Sequence, residues 1–262
     1  MKLALNGKTA IVCGSTQGIG FAAAKALSEL GANTVLVARN EEKLKSAINQ
    51  LPELRPEQTH TYLVADFTQP EQLKTRIEKF VENRSIEILI NNTGGPAGGP
   101  ANAAQTSEYI NAFNQHLICN HILVQAVQGK MKNAGYGRII NVISTSVKQP
   151  LDNLGVSNTI RGAVANWSKT LANELGQFNI TVNNVLPGAT NTSRLKSIIE
   201  NKAARTGQSE EEVLKAMSNT SPMKRVAEPE EVANAIAFLA SPAASYINGI
   251  NVPVDGGRTK CL

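Results

Sequence analysis

The chain alternates between two hydrophobic periods. Short apolar or β-branched runs at Thr9–Cys13, Asn33–Ala38, Thr59–Ala65, Ile86–Asn91, Arg138–Ile143 and Ile180–Leu186 have the length of strands, and a segment of helical character separates each from the next. Repeated strand–helix units imply a parallel sheet. Val35–Val37 and Ile88–Ile90 carry no polar residue, as expected for strands covered by helices on both sides. Right-handed crossovers then predict an α/β, doubly wound sheet. Such sheets bind ligands beyond the carboxyl ends of their strands. Residues 191–221 have no strand nearby. Ser209 followed by Glu210–Glu212 reads there as a helix start within an otherwise polar insertion. That insertion is either a lid over the sheet edge or an irregular surface excursion. Beyond it, Pro229–Leu239 puts Val232, Ile236 and Leu239 on one helical face and precedes the strand-like Gly249–Val254.

Composition narrows this picture. With 262 residues, 42% of them apolar and few aromatic, a single domain with one large core is expected. No window is apolar for the length a bilayer requires, and Met1–Lys8 leads into the first strand without a hydrophobic signal region, so a soluble cytoplasmic protein without a membrane partner is expected. Cys13, Cys119 and Cys261 lack metal-ligand or redox spacing and read as packing residues in a reducing compartment. The net charge is +5, but Lys and Arg are spread along the chain without a basic run. Nucleic acid is therefore not an expected partner, and an acidic ligand is weakly favoured.

Chemistry enters at the first strand–helix junction. Gly14, Gly18 and Gly20 lie between the first apolar run and an alanine-rich helical segment. Glycine permits a tight turn and close backbone approach, and the following helix aims unpaired N–H groups and its positive dipole end at an anion. A plain turn that needs glycine for packing would look the same. At the end of the second strand, a dinucleotide fold meets the adenosine ribose, where a carboxylate selects NAD and a basic residue accepts the extra phosphate of NADP. Arg39 stands there and favours NADP through a charge-assisted, bidentate contact; the alternative is an ordinary exposed loop arginine. Asp66, at the third strand end, is placed either to accept from an adenine amino group or to cap the next helix.

Ile88–Gly94, Gly137–Ser144, Val185–Thr192 and Asn251–Gly257 follow the glycine turn in that order. With them, essentially the whole chain resembles the short-chain dehydrogenase/reductase family, and most closely the branch that includes 3-oxoacyl-[acyl-carrier-protein] reductases. The resemblance implies one Rossmann-type domain over residues 1–262. It implies NADP held by Gly14, Ser15, Gln17, Gly18, Ile19, Gly20, Arg39, Asp66, Asn92, Gly94, Arg161, Pro187, Gly188 and Thr192. Gly20, Gly94, Gly95 and Gly188 would keep side chains away from the cofactor, Asn91 would knit neighbouring strands, and the Thr192 hydroxyl would reach the nicotinamide amide. A homodimer or homotetramer, built partly through Pro229–Leu239 and Gly249–Val254, is also implied; the alternative is that the same apolar stripe packs against its own sheet.

The catalytic positions depart from the family pattern of Ser, Tyr, Lys four residues beyond, and an upstream Asn. Ser144 falls on the serine, but Ser157 occupies the tyrosine position, Arg161 the lysine position and His116 the asparagine position. A phenol with a pKa of about 10 can be tuned towards neutrality, whereas a serine hydroxyl is a far weaker acid and a guanidinium stays protonated. Two readings follow. In the first, the protein is an NADP-dependent reductase of a 3-oxoacyl thioester or similar ketone; Ser144 holds the carbonyl, and His116 or an ordered water near Ser157 and Arg161 donates the proton, the alternative for His116 being a helix histidine satisfied by its neighbours. In the second, it is a weak or inactive NADP-binding member acting as sensor, scaffold or assembly partner.

Overall fold

Strand and helix alternate from the first apolar run onward in the computed structural model, which describes residues 1–261. The chain runs β1 (Thr9–Cys13), α1 (Gly18–Glu29), β2 (Asn33–Ala38), α2 (Glu41–Ile48), β3 (His60–Val64), α3 (Pro70–Val81) and β4 (Ile88–Asn91). It continues through α4 (Thr106–Phe113), a π-helical turn (Asn114–Ile118), α5 (Cys119–Ala134), β5 (Gly137–Val142), α6 (Gly155–Leu175) and β6 (Ile180–Pro187). It then forms α7 (Ser193–Thr206), α8 (Glu210–Asn219), α9 (Pro229–Ala240) and β7 (Asn251–Val254). Among the described residues the strands form a seven-stranded sheet, all pairs parallel, in the order β3-β2-β1-β4-β5-β6-β7. This is the doubly wound α/β sheet expected from the hydrophobic pattern. The chain leaves β3 at one edge and re-enters beside β1, so the ends of β1 and β4 flank the switch point where such sheets bind ligands.

Alternation along β1 shows why both faces must be covered. Ala10 and Val12 join a core layer with Leu27 of α1 and Val232, Ile236 and Leu239 of α9. Ile11 and Cys13 face the opposite layer, with Ile77 of α3, Leu123 and Val127 of α5 and Leu171 of α6. The stripe Val232, Ile236 and Leu239, read from sequence as part of an assembly surface, is therefore packed on this chain's own sheet and is not available to a partner. Burial also pushes the Cys13 and Cys119 thiols up, the latter to about 12, in keeping with packing roles.

The 191–221 segment is more regular than its polarity suggests, holding two helices instead of one. Leu195 and Ile199 of α7 and Val213 of α8 form a small core of their own. Ser209 caps α8 as its sequence predicts, accepting from the Glu212 N–H at 3.2 Å while Glu212 accepts from the Ser209 N–H at 2.9 Å. The neck is closed by backbone bonds from Asn191 N–H to the Ala227 carbonyl at 2.8 Å and from Ala227 N–H to the Ala189 carbonyl at 2.9 Å.

A ladder of side-chain amides runs across one half of the sheet. Asn91, Asn141, Asn184 and Asn251 are in register on β4 to β7. Each Nδ2 donates to the next Oδ1, at 2.8, 3.0 and 2.8 Å in turn, and Asn141 Nδ2 also donates to Ser168 Oγ at 3.1 Å. Because buried amides are costly only when unpaired, the ladder rewards this register and penalises a slip that would also turn every side chain to the wrong face. Asn141→Ala strands the buried amides on either side of it and should cost on the order of 3 kcal/mol in urea unfolding, against ~1 kcal/mol for Asn251→Ala at the edge.

Candidate active site

Four loops converge past the carboxyl ends of β1, β4, β5 and β6. At the first, Gly14 takes a left-handed φ of +59°, and its N–H donates to the Val37 carbonyl at 2.8 Å. A Cβ on Gly14 would lie 2.7 Å from the Asn92 carbonyl oxygen, and one on Gly20 would collide with the Gly14 carbonyl. Gly188 is equally constrained, since a Cβ there would stand 2.8 Å from the Asp255 Cα. These glycines are required by the protein's own close approaches, which revises the expectation that Gly20 and Gly188 serve to keep side chains off a cofactor. Gly94 differs: a Cβ there would meet nothing within 4 Å. Packing gives no reason for that glycine, and its open surface leaves room for a ligand.

Several predicted cofactor residues prove to build the cradle. Ser15 is fully buried, and its Oγ accepts from the Val37 N–H at 3.0 Å, so its side chain belongs to the frame of the turn. Asn92 Nδ2 donates to the Cys13 and Gly14 carbonyls at 3.2 and 3.3 Å, strapping β1 to β4 across the switch point. Gln17 stands exposed at the N-cap of α1 without a side-chain capping bond; Gly18 and Ile19 begin the helix, whose first N–H groups point into the turn. Gly18 faces the Thr192 methyl group, which brings the start of α7 over the turn. Thr192 caps α7, its Oγ1 accepting from the Leu195 N–H at 3.3 Å and donating to the Thr190 carbonyl at 3.2 Å. Pro187 closes β6 beside Val254 of β7.

Arg39 is exposed at the end of β2, and among the described residues it forms no ion pair. Asp66 accepts from the Thr68 N–H and hydroxyl, both at 2.9 Å, through a single oxygen. Those bonds, Thr68 N–H foremost, and the nearby Arg39 hold its carboxyl below the usual range. It is thus an ionised acceptor that shapes its own loop and retains a second oxygen. Together the open Gly94 surface, the exposed helix N–H groups and the unpaired Arg39 fit a phosphorylated dinucleotide lying across the switch point.

The candidate catalytic residues gather on the β4–β5 side. Ser144, two residues past β5, accepts from the Ser146 N–H at 3.1 Å and keeps its hydroxyl proton for another acceptor. Ser157 and Arg161 are one turn apart on α6, which packs against both the Thr145–Val147 turn and the π-helical turn holding His116. Arg161 is 6% exposed, and its Nη1 donates to the Val142 carbonyl at 3.3 Å. Burial, then repulsion from Arg194, brings its pKa down to about 10, so the guanidinium remains charged at neutral pH.

His116 does not behave as its sequence position suggests. It is 1% exposed, its Nδ1 shares a 2.6 Å hydrogen bond with Thr93 Oγ1, and its Nε2 has no partner among the described residues. Burial and the positive charge of Arg161 lower its pKa to about 3. A neutral imidazole of this kind is not the near-neutral proton carrier proposed from sequence; it is a polar wall beside Arg161.

Three further residues shape the site. Thr93 fixes His116; Asn158 ties α6 to the preceding loop by donating to the Leu151 carbonyl at 2.8 Å. Arg194, in the first turn of α7, donates from Nη2 to the Pro96 carbonyl at 2.6 Å. A cation in that first turn opposes the helix dipole, and this is the one sequence signal that would have singled Arg194 out.

A doubly wound sheet with this glycine cradle and a serine beyond β5 defines a dinucleotide-binding oxidoreductase scaffold. The family model described as Enoyl-(Acyl carrier protein) reductase matches residues 14–259. The NADPH-dependent reductase BacG of Bacillus subtilis is 30% identical over 97% of this chain and 99% of its own length. A 3-oxoacyl-[acyl-carrier-protein] reductase FabG of Rickettsia bellii is 33% identical over 97% of each. The crystal structure of L-sorbose reductase from Gluconobacter frateurii, complexed with NADPH and L-sorbose, superposes with a TM-score of 0.92 at 30% identity, covering 100% of both chains. The chain belongs to the short-chain dehydrogenase/reductase family.

The state of His116 has a measurable consequence. Its unfolded pKa is about 6.5 and its folded value about 3, so between these limits the unfolded state binds the additional proton. The stabilisation is complete above about pH 6.5 and is lost as pH falls towards 3. Urea titrations at pH 7 and 5 should show His116→Asn losing less stability over that interval than the unaltered protein.

Proposed function

We propose that the protein is an NADPH-dependent carbonyl reductase with a rearranged proton-delivery site. The observation that supports this reading is the packing of α6, which carries Ser157 and Arg161, on the turn that follows Ser144, with Arg161 reaching Gly95, in a chain whose cradle fits a dinucleotide. When bound, NADPH supplies a hydride to the carbonyl carbon of the substrate. The chain's own groups do the rest. Gly14, Gly18 and the start of α1 hold the pyrophosphate, Arg39 takes the ribose 2′-phosphate, and Thr192 and Gly188 border the nicotinamide. Ser144 Oγ donates to the carbonyl oxygen as negative charge develops there, and the fixed charge of Arg161 stabilises it at short range.

As the carbonyl π bond breaks, its electron pair moves to oxygen, which takes a proton to give the alcohol. Arg161 stays protonated and His116 neutral, so that proton comes from a water held near Ser157 and Arg161. General acid catalysis is worth about 10²–10⁴-fold, and a slow reductase is the expected result. The relatives support a reductase; the 3-oxoacyl thioester is the substrate class proposed by likeness to the FabG proteins. The segment 191–221, closed at its neck and bordering the cradle through Thr192, serves as the lid of this single domain.

The exchange of two catalytic residue types supports a second reading, an NADP-binding protein with little turnover. Nucleotide fluorescence titration and NADPH oxidation with ketones and 3-oxoacyl thioesters separate the two. Binding with oxidation abolished by Ser144→Ala supports the reductase; binding without oxidation supports the second reading; failure to bind NADPH or NADH removes both. Arg39→Ala should weaken NADPH about tenfold or more and leave NADH nearly unchanged.

A further inference from the structure

Arg161 and Arg194 approach one another without a counter-ion. Measured from the Cβ position that Gly95 lacks, Arg161 Nη2 and Arg194 Nη2 are each 3.8 Å away. The two guanidinium nitrogens are thus at most twice that distance apart, a gap one planar oxyanion can bridge. Among the described residues neither arginine forms an ion pair, and each has one side-chain hydrogen bond, to a carbonyl: Val142 for Arg161 and Pro96 for Arg194. Arg161 is more than nine-tenths buried. Burying an unpaired cation is costly, placing a second beside it adds repulsion, and seating that second one in the first turn of α7 adds the opposing dipole. Arg194 is itself exposed, so water screens part of its cost, while a negative charge between the two arginines relieves all three unfavourable choices together.

The gap opens beside Gly94 and Gly95, on the β4–β5 side near Ser144, whereas the pyrophosphate cradle lies at Gly14–Gly20 and the 2′-phosphate position at Arg39. We propose that Arg161 and Arg194 bind a carboxylate carried by the carbonyl substrate, so that the preferred substrates are oxo acids, ahead of the 3-oxoacyl thioesters that likeness to the FabG proteins suggests. Arginine's planar fork matches a carboxylate with two parallel N–H donors. Arg161 also reaches the Val142 carbonyl, two residues before Ser144, so a carboxylate anchored there lies on the side of the site that holds the Ser144 hydroxyl. This inference rests on the reductase reading for its catalytic readout but not for its binding readout.

The test pairs oxo acids of increasing chain length with their methyl esters, in the unaltered protein and in Arg194→Gln, which keeps a donor for the Pro96 carbonyl while removing the charge. The expected result is a lower KM for an acid than for its ester, with that preference reduced about tenfold or more in Arg194→Gln, and an intermediate preference in Arg194→Lys. NADPH affinity is measured in parallel by fluorescence. An equal loss of NADPH affinity would assign the pair to the cofactor and overturn the proposal, as would equal handling of acids and esters. If NADPH binds but nothing is reduced, the reductase reading fails on its own. Thermal shifts of the NADP⁺-loaded protein then decide the site: stabilisation by an oxo acid but not its ester, lost in Arg194→Gln, upholds it, and no such difference overturns it.

Discussion

Side-chain amides cross-link the central strands, and the glycine turn, Asn92, Ser144 and Gly188 follow directly on the strands so tied. Asn92 straps the end of β4 to the carbonyls of Cys13 and Gly14, and the ladder Asn91–Asn141–Asn184–Asn251 ties β4 to β7, running from the last residue of β4 through the interior of β6 to the first residue of β7. A parallel sheet offers little to keep its strand ends flush once the backbone ladder stops. Buried amides supply that constraint because an unpaired one loses its solvation without compensation. Gly14, Asn92, Ser144 and Gly188 each lie within two residues of a strand end, so the geometry of the site is largely the geometry of the clamp.

On that rigid edge the electrostatics are unusual for a proton-transfer site. A tyrosine–lysine pair would present two groups with coupled, tunable pKa values; Ser157 and Arg161 present one very weak acid and one permanent cation. Burial lowers Arg161 only to about 10, leaving it charged throughout the neutral range. Burial keeps the neighbouring His116 neutral, and that fixed charge adds to the effect, since two cations in one poorly solvated pocket are disfavoured. The exchange of residue types therefore converts a proton relay into a static positive field. Such a field can stabilise developing oxyanion charge and attract an acidic ligand, but it does not move protons itself.

The architecture was largely legible in the sequence because hydrophobic period reports burial directly. β1 and β2 begin and end where their apolar runs do, and β3 to β7 deviate by one or two residues at frayed ends. What sequence hid depends on distant partners. The helix bearing Ser157 and Arg161 begins at Gly155, where polar Ser157, Asn158 and Thr159 mask the helical stripe. Helix α7 looked like loop because its apolar face is thin and completed by Val213 and Val226 from elsewhere in the chain. A glycine required by internal contact, such as Gly20, looks the same as one that leaves room for a ligand, such as Gly94, until the neighbours are placed. His116 has an ordinary imidazole pKa in an unfolded chain and acquires its neutrality only from burial.

Arg194 shows the same limit from the opposite side. Its partner carbonyl at Pro96 is 98 positions away, and its neighbour Arg161 belongs to another helix, so beyond its place in the first turn of α7 nothing local marks it as part of the site. Locally it is simply a residue at the wrong end of a helix. Natural sequences avoid such conflicts where nothing compensates them, because each local choice otherwise agrees with the fold. Here the conflict is repeated by a second, buried guanidinium at the same point, and both face the loop whose glycines leave space unfilled by protein. A cost incurred twice by independent elements and directed into one gap is best understood as the unliganded half of a binding interaction, in which the missing charge arrives with the ligand.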